Sequence, residues 1–140
     1  MALNQHQTYM ISSAMDRDKV LDVNNEGQVI IWEKHGGMNQ RFKVRSRGGK
    51  ITLMAFDGST VEVAGGTDES GAQIRVGYPN NIQNEFWELE PQGGQEGAYY
   101  LKTFCGKAMD VEGGSSDSGS KVIQWDFNGN ANQIWFLEPA

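Results

Sequence analysis

The sequence predicts an all-β domain made of three copies of one four-strand unit, and three observations carry that expectation. First, the chain repeats itself: Leu21-Asp22-Val23, Trp32 and Asn39-Gln40-Arg41-Phe42 return as Met109-Asp110-Val111, Trp125 and Asn132-Gln133-Ile134-Trp135. Second, a middle copy aligns without a gap, Val61-Glu62-Val63 and Asn84-Glu85-Phe86-Trp87 falling at one offset from the third (110 − 62 = 132 − 84 = 48). Third, short runs of β-branched and aromatic residues alternate with glycine-rich turn clusters, and no stretch sustains a 3.6-residue period. A unit this small cannot bury its apolar face alone, so three copies close on one another about a pseudo-threefold axis.

The strands follow in order. Tyr9 to Ser13, Val20 to Val23, Val29 to Glu33 and Arg41 to Arg45 form the first set. Lys50 to Phe56, Thr60 to Ala64, Gln73 to Val76 and Phe86 to Glu90 form the second. Ala98 to Phe104, Lys107 to Val111, Lys121 to Trp125 and Ile134 to Leu137 form the third. Between them stand Gly36-Gly37, Gly48-Gly49, Asp57-Gly58, Gly65-Gly66, Gly93-Gly94, Gly113-Gly114 and Asn128-Gly129, read as turns that need positive φ. Twelve strands in threefold rhythm select a barrel capped by hairpins, a β-trefoil. The expected boundaries are one domain over 1–140 with repeats at about 7–47, 48–94 and 95–140. Ser46 to Gly49 is read as the loop joining the first two copies, and Gln92 to Gly97 as the loop joining the last two.

A chain of 140 residues builds a core without disulfides or metal, and Cys105, the single cysteine, reads as a small half-buried filler. The formal charge of −6, with no Lys/Arg cluster to offset it, argues against nucleic acid or anionic lipid as the main partner. Met1 to Met10 is polar, without the apolar segment of a signal peptide, and the expected location is cytoplasmic, with action outside the cell after release as the accompanying expectation.

The ordered string of Asp22, Trp32, Asn39-Gln40-x-Phe42 and of Asp110, Trp125, Asn132-Gln133-x-Trp135 resembles the ricin B-type, Gln-x-Trp lectin family over essentially the whole chain. The resemblance implies a β-trefoil that binds galactose- or N-acetylgalactosamine-type glycans in shallow sites at up to three related positions. It needs no cofactor and no metal. It assigns a first-repeat site to Asp22, Trp32, His35, Asn39 and Gln40, and a third-repeat site to Asp110, Gly113, Trp125, Asn128, Asn132 and Gln133.

The chemistry of sugar recognition suits those residue types. A carboxylate accepts hydrogen bonds from two neighbouring hydroxyls, and a charged acceptor binds more strongly than a neutral one. Asn39 and Asn132 can donate and accept, while Gln40 and Gln133 hold the carboxylate in its rotamer. Trp32 and Trp125 offer an apolar platform to the C–H face of a pyranose, which galactose presents because its axial hydroxyl leaves one face apolar. The bland alternatives are a tryptophan merely covering a hairpin and, for His35, a solvated turn residue. Phe42, Trp87 and Trp135 read as barrel core.

The middle copy departs from the pattern. Glu62 replaces the aspartate, Gly77 the tryptophan and Glu85 the glutamine, so two acids are expected to repel each other, with Tyr78 and Asn84 left beside them. The first copy is shorter, with 10 residues from Asp22 to Trp32 against 15 from Asp110 to Trp125. No hydrolase, zinc or phosphate-loop motif occurs, so no enzymatic activity is expected. The rival reading is a trefoil that recognises protein through its loops, a protease inhibitor for example. Two competent sites on one body, or more on a homodimer, would make the lectin multivalent and cell agglutination its readout.

Overall fold

A computed structural model describes residues 7–140, so Met1 to His6 of the polar N-terminal stretch lie outside the described residues. Twelve strands follow the threefold rhythm: β1 (Thr8–Ser13), β2 (Asp16–Val23), β3 (Val29–Glu33), β4 (Phe42–Arg47), β5 (Lys50–Met54), β6 (Thr60–Val63), β7 (Ile74–Gly77), β8 (Glu88–Pro91), β9 (Ala98–Lys102), β10 (Ala108–Val111), β11 (Val122–Trp125) and β12 (Trp135–Pro139). Six of them close a ring, β1 beside β4, β4 beside β5, β8 beside β9, β9 beside β12 and β12 beside β1. Reciprocal backbone bonds of 2.9 Å between Ile51 and Trp87 join β5 to the start of β8 and complete the barrel. The hairpins β2–β3, β6–β7 and β10–β11 cap one end, touching one another through the bridges Gln28–Arg75, Gln73–Ile123 and Ile30–Lys121. This is a β-trefoil.

The barrel centre is filled by the residues that end each repeat motif. Phe42, Trp87 and Trp135 are fully buried, and the two indole N–H groups donate to the backbone oxygens of Val61 and Met109 at 3.0 Å. A buried indole without a partner would cost about 1–3 kcal/mol, so these bonds let tryptophan serve as core.

Several sequence expectations need correction. The connection of the first two repeats is only Gly48-Gly49, since β4 runs to Arg47 and β5 starts at Lys50. Both glycines have positive φ, 58° and 87°, as a two-residue turn matched to strand twist requires, so Ser46 and Arg47 can stay in the ladder. Gly37 by contrast has φ of −67° and opens a 3-10 turn. Five such turns occur among the described residues, including Met38–Gln40, Gln83–Glu85 and Ala131–Gln133. Three residues are too few to leave a helical period in the sequence. Cys105 is exposed, because it stands at the turn closed by the Gly106 N–H on the Thr103 oxygen.

The expected absence of a basic cluster is also wrong. Lys43, Arg45 and Arg47 alternate with buried Phe42 and Val44 along β4, so the period of two sets all three cations on the outer face. Interleaved with apolar residues, they do not read as a charge run in the sequence.

Candidate functional site

Two copies of one arrangement lie where the cap hairpins meet the barrel. Asp22, in the second pair from its hairpin turn, faces Ile30 across β2–β3, and Asp110 faces Ile123 across β10–β11 in the same register. Trp32 and Trp125 stand two residues beyond those partners. Both tryptophans are 43% exposed, unlike the barrel aromatics.

The 3-10 turn after each tryptophan brings the Asn-Gln pair onto the carboxylate. Asn39 Nδ2 donates to Asp22 Oδ1 at 3.0 Å and Gln40 Nε2 to Oδ2 at 3.0 Å. In the third repeat Asn132 donates to Asp110 Oδ1 at 3.2 Å and Gln133 to Oδ2 at 2.8 Å. Each asparagine also donates to a backbone oxygen, of Val23 or of Val111. Both amide hydrogens are therefore used inside the protein, and Asn39 and Asn132 offer a ligand their oxygen alone. Each glutamine is completely consumed: Nε2 donates a second bond, to Glu33 O or Asp126 O at 2.9 Å, while Oε1 accepts two backbone N–H groups, of His35 and Gly36 or of Asn128 and Gly129. Gln40 and Gln133, at 0% exposure, are positioning groups and do not reach the surface.

An ionised carboxylate has about four acceptor positions, so one bond to each oxygen leaves room for two hydroxyl donors. Burial pushes the Asp110 carboxyl above its ordinary value, and the bonds from Gln133 and Asn132 oppose that rise without cancelling it.

His35 and Asn128 are equivalent in structure as well as sequence. His35 Nδ1 accepts the Gly37 N–H at 2.9 Å, and Asn128 Oδ1 accepts the Asn130 N–H at the same distance. With Nδ1 an acceptor, the neutral ring carries its proton on Nε2, 3.9 Å from Asp22 Oδ2.

All the sequence-predicted residues except the two glutamines line the recesses. The third, of about 380 Å³, is bounded by Asp110, Gly113, Trp125, Asn128 and Asn132, joined by Glu112, Gly114 and Ile123, which sequence reasoning did not assign to the sugar site. The first, of about 230 Å³, is bounded by Asp22, Trp32, His35 and Asn39 with Val23, Asn24, Asn25 and Ile30. It is smaller because Asn24 turns the β2–β3 hairpin directly, its side-chain oxygen accepting the N–H groups of Glu26 and Gln28, so no counterpart of the Glu112–Gly114 turn exists.

A neighbouring repeat supports each tryptophan, which sequence reasoning also missed. A side chain on Gly119 would begin 3.7 Å from the Trp32 ring, and one on Gly71 would begin 3.9 Å from that of Trp125. Ser118 Oγ accepts the Glu33 N–H at 3.2 Å, while Ser70 Oγ donates to Asp126 Oδ1. The signal was present, since Ser70-Gly71 and Ser118-Gly119 share the repeat offset (119 − 71 = 48).

The middle copy is closed from within. Glu62 ion-pairs with Arg75 at 3.1 Å, where the other copies have Ile30 and Ile123. Its carboxylate also occupies the space beside Gly77. The expected repulsion between Glu62 and Glu85 is not how the site is organised, because each acid has partners of its own. Glu85 Oε1 accepts the Asn80 and Asn81 N–H groups, as the glutamine oxygens do, and Oε2 accepts the Thr60 hydroxyl at 2.7 Å. A carboxylate cannot donate, so the half of the glutamine's role that holds the recess aspartate in the other copies is gone. Tyr78 is 91% exposed and Asn84 is anchored to Val63 O.

Comparison with known proteins identifies the family and the fold. The ricin-type β-trefoil lectin domain matches residues 7–135. The designed threefold-symmetric protein ThreeFoil superposes with a TM-score of 0.89 at 30% identity, over 95% of this chain and 99% of that one. A ricin B-like lectin of Macrolepiota procera, solved with lactose, superposes at 0.89 with 22% identity over 100% of both chains. An exo-β-1,3-galactanase of Clostridium thermocellum, 1,3Gal43A, gives 0.89 at 25% identity over 99% of this chain and 31% of the enzyme. No match was found among curated protein sequences. With the family profile covering nearly the whole chain, the protein belongs to the ricin-type β-trefoil lectin domain family.

Proposed function

We propose that this protein is a non-enzymatic lectin that binds galactose- or N-acetylgalactosamine-type glycans at two sites, those of the first and third repeats. One observation carries the reading: twice, in separate repeats, a buried aspartate held by an Asn-Gln pair forms the base of an open recess walled by a half-exposed tryptophan. The carboxylate accepts two vicinal hydroxyls, the asparagine oxygen accepts a third, and the indole takes the apolar face that an axial hydroxyl leaves free. The lactose bound by the Macrolepiota procera lectin, a galactose-bearing disaccharide, supports that choice of sugar. Glu62 and Glu85, the one acidic pair that the repeats suggest for hydrolysis, are each committed to internal partners, which favours binding without bond cleavage.

Shallow recesses with few hydrogen bonds hold a monosaccharide near the millimolar level, about −4 kcal/mol. Useful attachment then comes from two sites acting together, which raises avidity on a glycan-coated surface by about 10² to 10⁴. A glycan array on the parent, Asp22→Ala, Asp110→Ala and the double variant tests this. Binding to terminal galactose or N-acetylgalactosamine should fall stepwise and vanish in the double variant. A blank array from folded parent protein would overturn the reading in favour of protein recognition through loops.

A further inference from the structure

The outer face of β4 is a row of positive charge on an otherwise acidic molecule. Lys43, Arg45 and Arg47 recur along it about every 6.8 Å, Arg41 precedes the strand, and Lys50 lies directly across from Arg47. No carboxylate occurs from Lys34 to Phe56, and among the described residues no ion pair reaches any of these five cations. Outside 41–50 the chain carries seven cations against eighteen acids, a balance of −11. Arg41 and Arg47 are held in place by neutral acceptors, Gly36 O at 3.0 Å and Asn81 Oδ1 at 2.6 Å, so their charge is fixed without being neutralised. At the Lys43 end a hollow of about 400 Å³ lies between Arg41, Lys43, Met38, Met54 and Phe56, with Met38 and Phe56 exposed.

We propose that this face binds a linear sulfated polysaccharide laid along β4, independently of the two sugar recesses. Sulfate groups pair with the ladder, the guanidinium forks of Arg45 and Arg47 each donating to two sulfate oxygens, and one sugar ring covers Met38 and Phe56. Charge and shape select this occupant. With a screening length of about 8 Å at physiological salt, a slender chain laid along the strand feels mainly the cations, whereas a flat anionic bilayer also faces more of a molecule whose balance outside 41–50 is −11. Single-stranded nucleic acid needs aromatic faces along its path, and the residues across from the ladder are Met54, Thr52 and Lys50. A second copy docked symmetrically would place like charge on like.

Heparin is the probe, titrated by calorimetry at increasing salt against the parent chain, Lys43→Gln/Arg45→Gln/Arg47→Gln, Arg45→Glu and Asp22→Ala/Asp110→Ala. The parent should bind heparin and not uncharged dextran. The triple variant should lose at least about 30-fold, with the slope of log affinity on log salt reduced by about two, near 0.7 per lost contact. The single Arg45→Glu exchange should lose about tenfold, and the Asp22/Asp110 variant nothing. Separation from the sugar sites is thereby read directly, because the ladder variants keep galactoside binding whether or not heparin binds. Absence of heparin binding, equal binding by the folded ladder variants, or tighter binding to phosphatidylserine vesicles or oligo-dT would overturn the proposal.

Discussion

A side chain on Gly77 would begin 2.6 Å from the carboxylate of Glu62, so the middle repeat fills with its own acid the space that Trp32 and Trp125 line elsewhere. The extra methylene of glutamate reaches this space, Arg75 fixes it there, and the missing side chain at 77 makes room. These three substitutions depend on one another, and reversing only one of them cannot open the site. The combined variant Glu62→Asp/Arg75→Ile/Gly77→Trp/Glu85→Gln gives the middle repeat the aspartate, isoleucine, tryptophan and glutamine of the third, beside its own Asn84. It should raise the calorimetric stoichiometry for galactose-type ligands from two to three per chain. Stoichiometry unchanged at two in a folded variant would mean that the turn geometry, and not these side chains, silences the repeat.

Gln133→Glu tests what the buried glutamine does. Its oxygen can still accept the N–H groups of Asn128 and Gly129, but the donated bonds to Asp110 at 2.8 Å and to Asp126 O at 2.9 Å are lost and a second negative charge faces Asp110. The middle repeat shows that a glutamate tolerates the turn half of this role. We expect a stability loss of about 1–3 kcal/mol by chemical denaturation and loss of third-repeat binding, with first-repeat binding retained. Retained binding at both sites would show that the glutamine only braces the turn.

Acidification separates the two states of Asp110. In the proposed binding mode ligand hydroxyls donate to the ionised form, and burial sets the folded carboxyl above its ordinary 3.8, so the proton returns at a higher pH than it would on an exposed aspartate. The sign for stability is opposite to that of a salt-bridged acid. As pH rises from 3.8 through the raised folded value, the native state holds the extra proton and loses stability, and above that value the cost is constant. In Asp22→Ala, where the third-repeat site acts alone, affinity should be flat near neutrality and fall about tenfold per pH unit below the raised value. Affinity unchanged down to pH 3.8 in folded protein would show that the carboxylate charge does not contribute.

The strands were legible because a period of two shows wherever one face is buried, and the site residues because the repeat states them twice at matching spacing. Asp22 with Asn39-Gln40 and Asp110 with Asn132-Gln133 emerge in contact for that reason. The 3-10 turns that deliver those pairs were illegible, since three residues carry no period. So was the β4 ladder, whose cations are separated in sequence by core residues and united only by the pleat. Contacts between repeats were hidden more deeply: Glu33 and Ser118 meet across 85 positions, and nothing local in either segment requires it.

That contact leads to the sharpest test of the threefold body, because each recess tryptophan rests on a glycine of a different repeat. Gly119, with φ of +94°, donates its N–H to Ile31 O at 2.8 Å and lies against Trp32. Gly71, with φ of +95°, donates to Gln124 O at 2.7 Å and lies against Trp125. An added methyl would fit the space at either position, but the positive φ strains an L residue by about 1–2 kcal/mol, and relief moves the loop away from the tryptophan. Gly119→Ala, in the third repeat, should therefore weaken first-repeat binding several-fold and leave third-repeat binding intact. Gly71→Ala, in the second repeat, should do the reverse. Calorimetry in the Asp110→Ala and Asp22→Ala backgrounds isolates each site. Were each exchange to affect both sites equally, the effect would be loss of global stability, and the crosswise support of the platforms would be refuted.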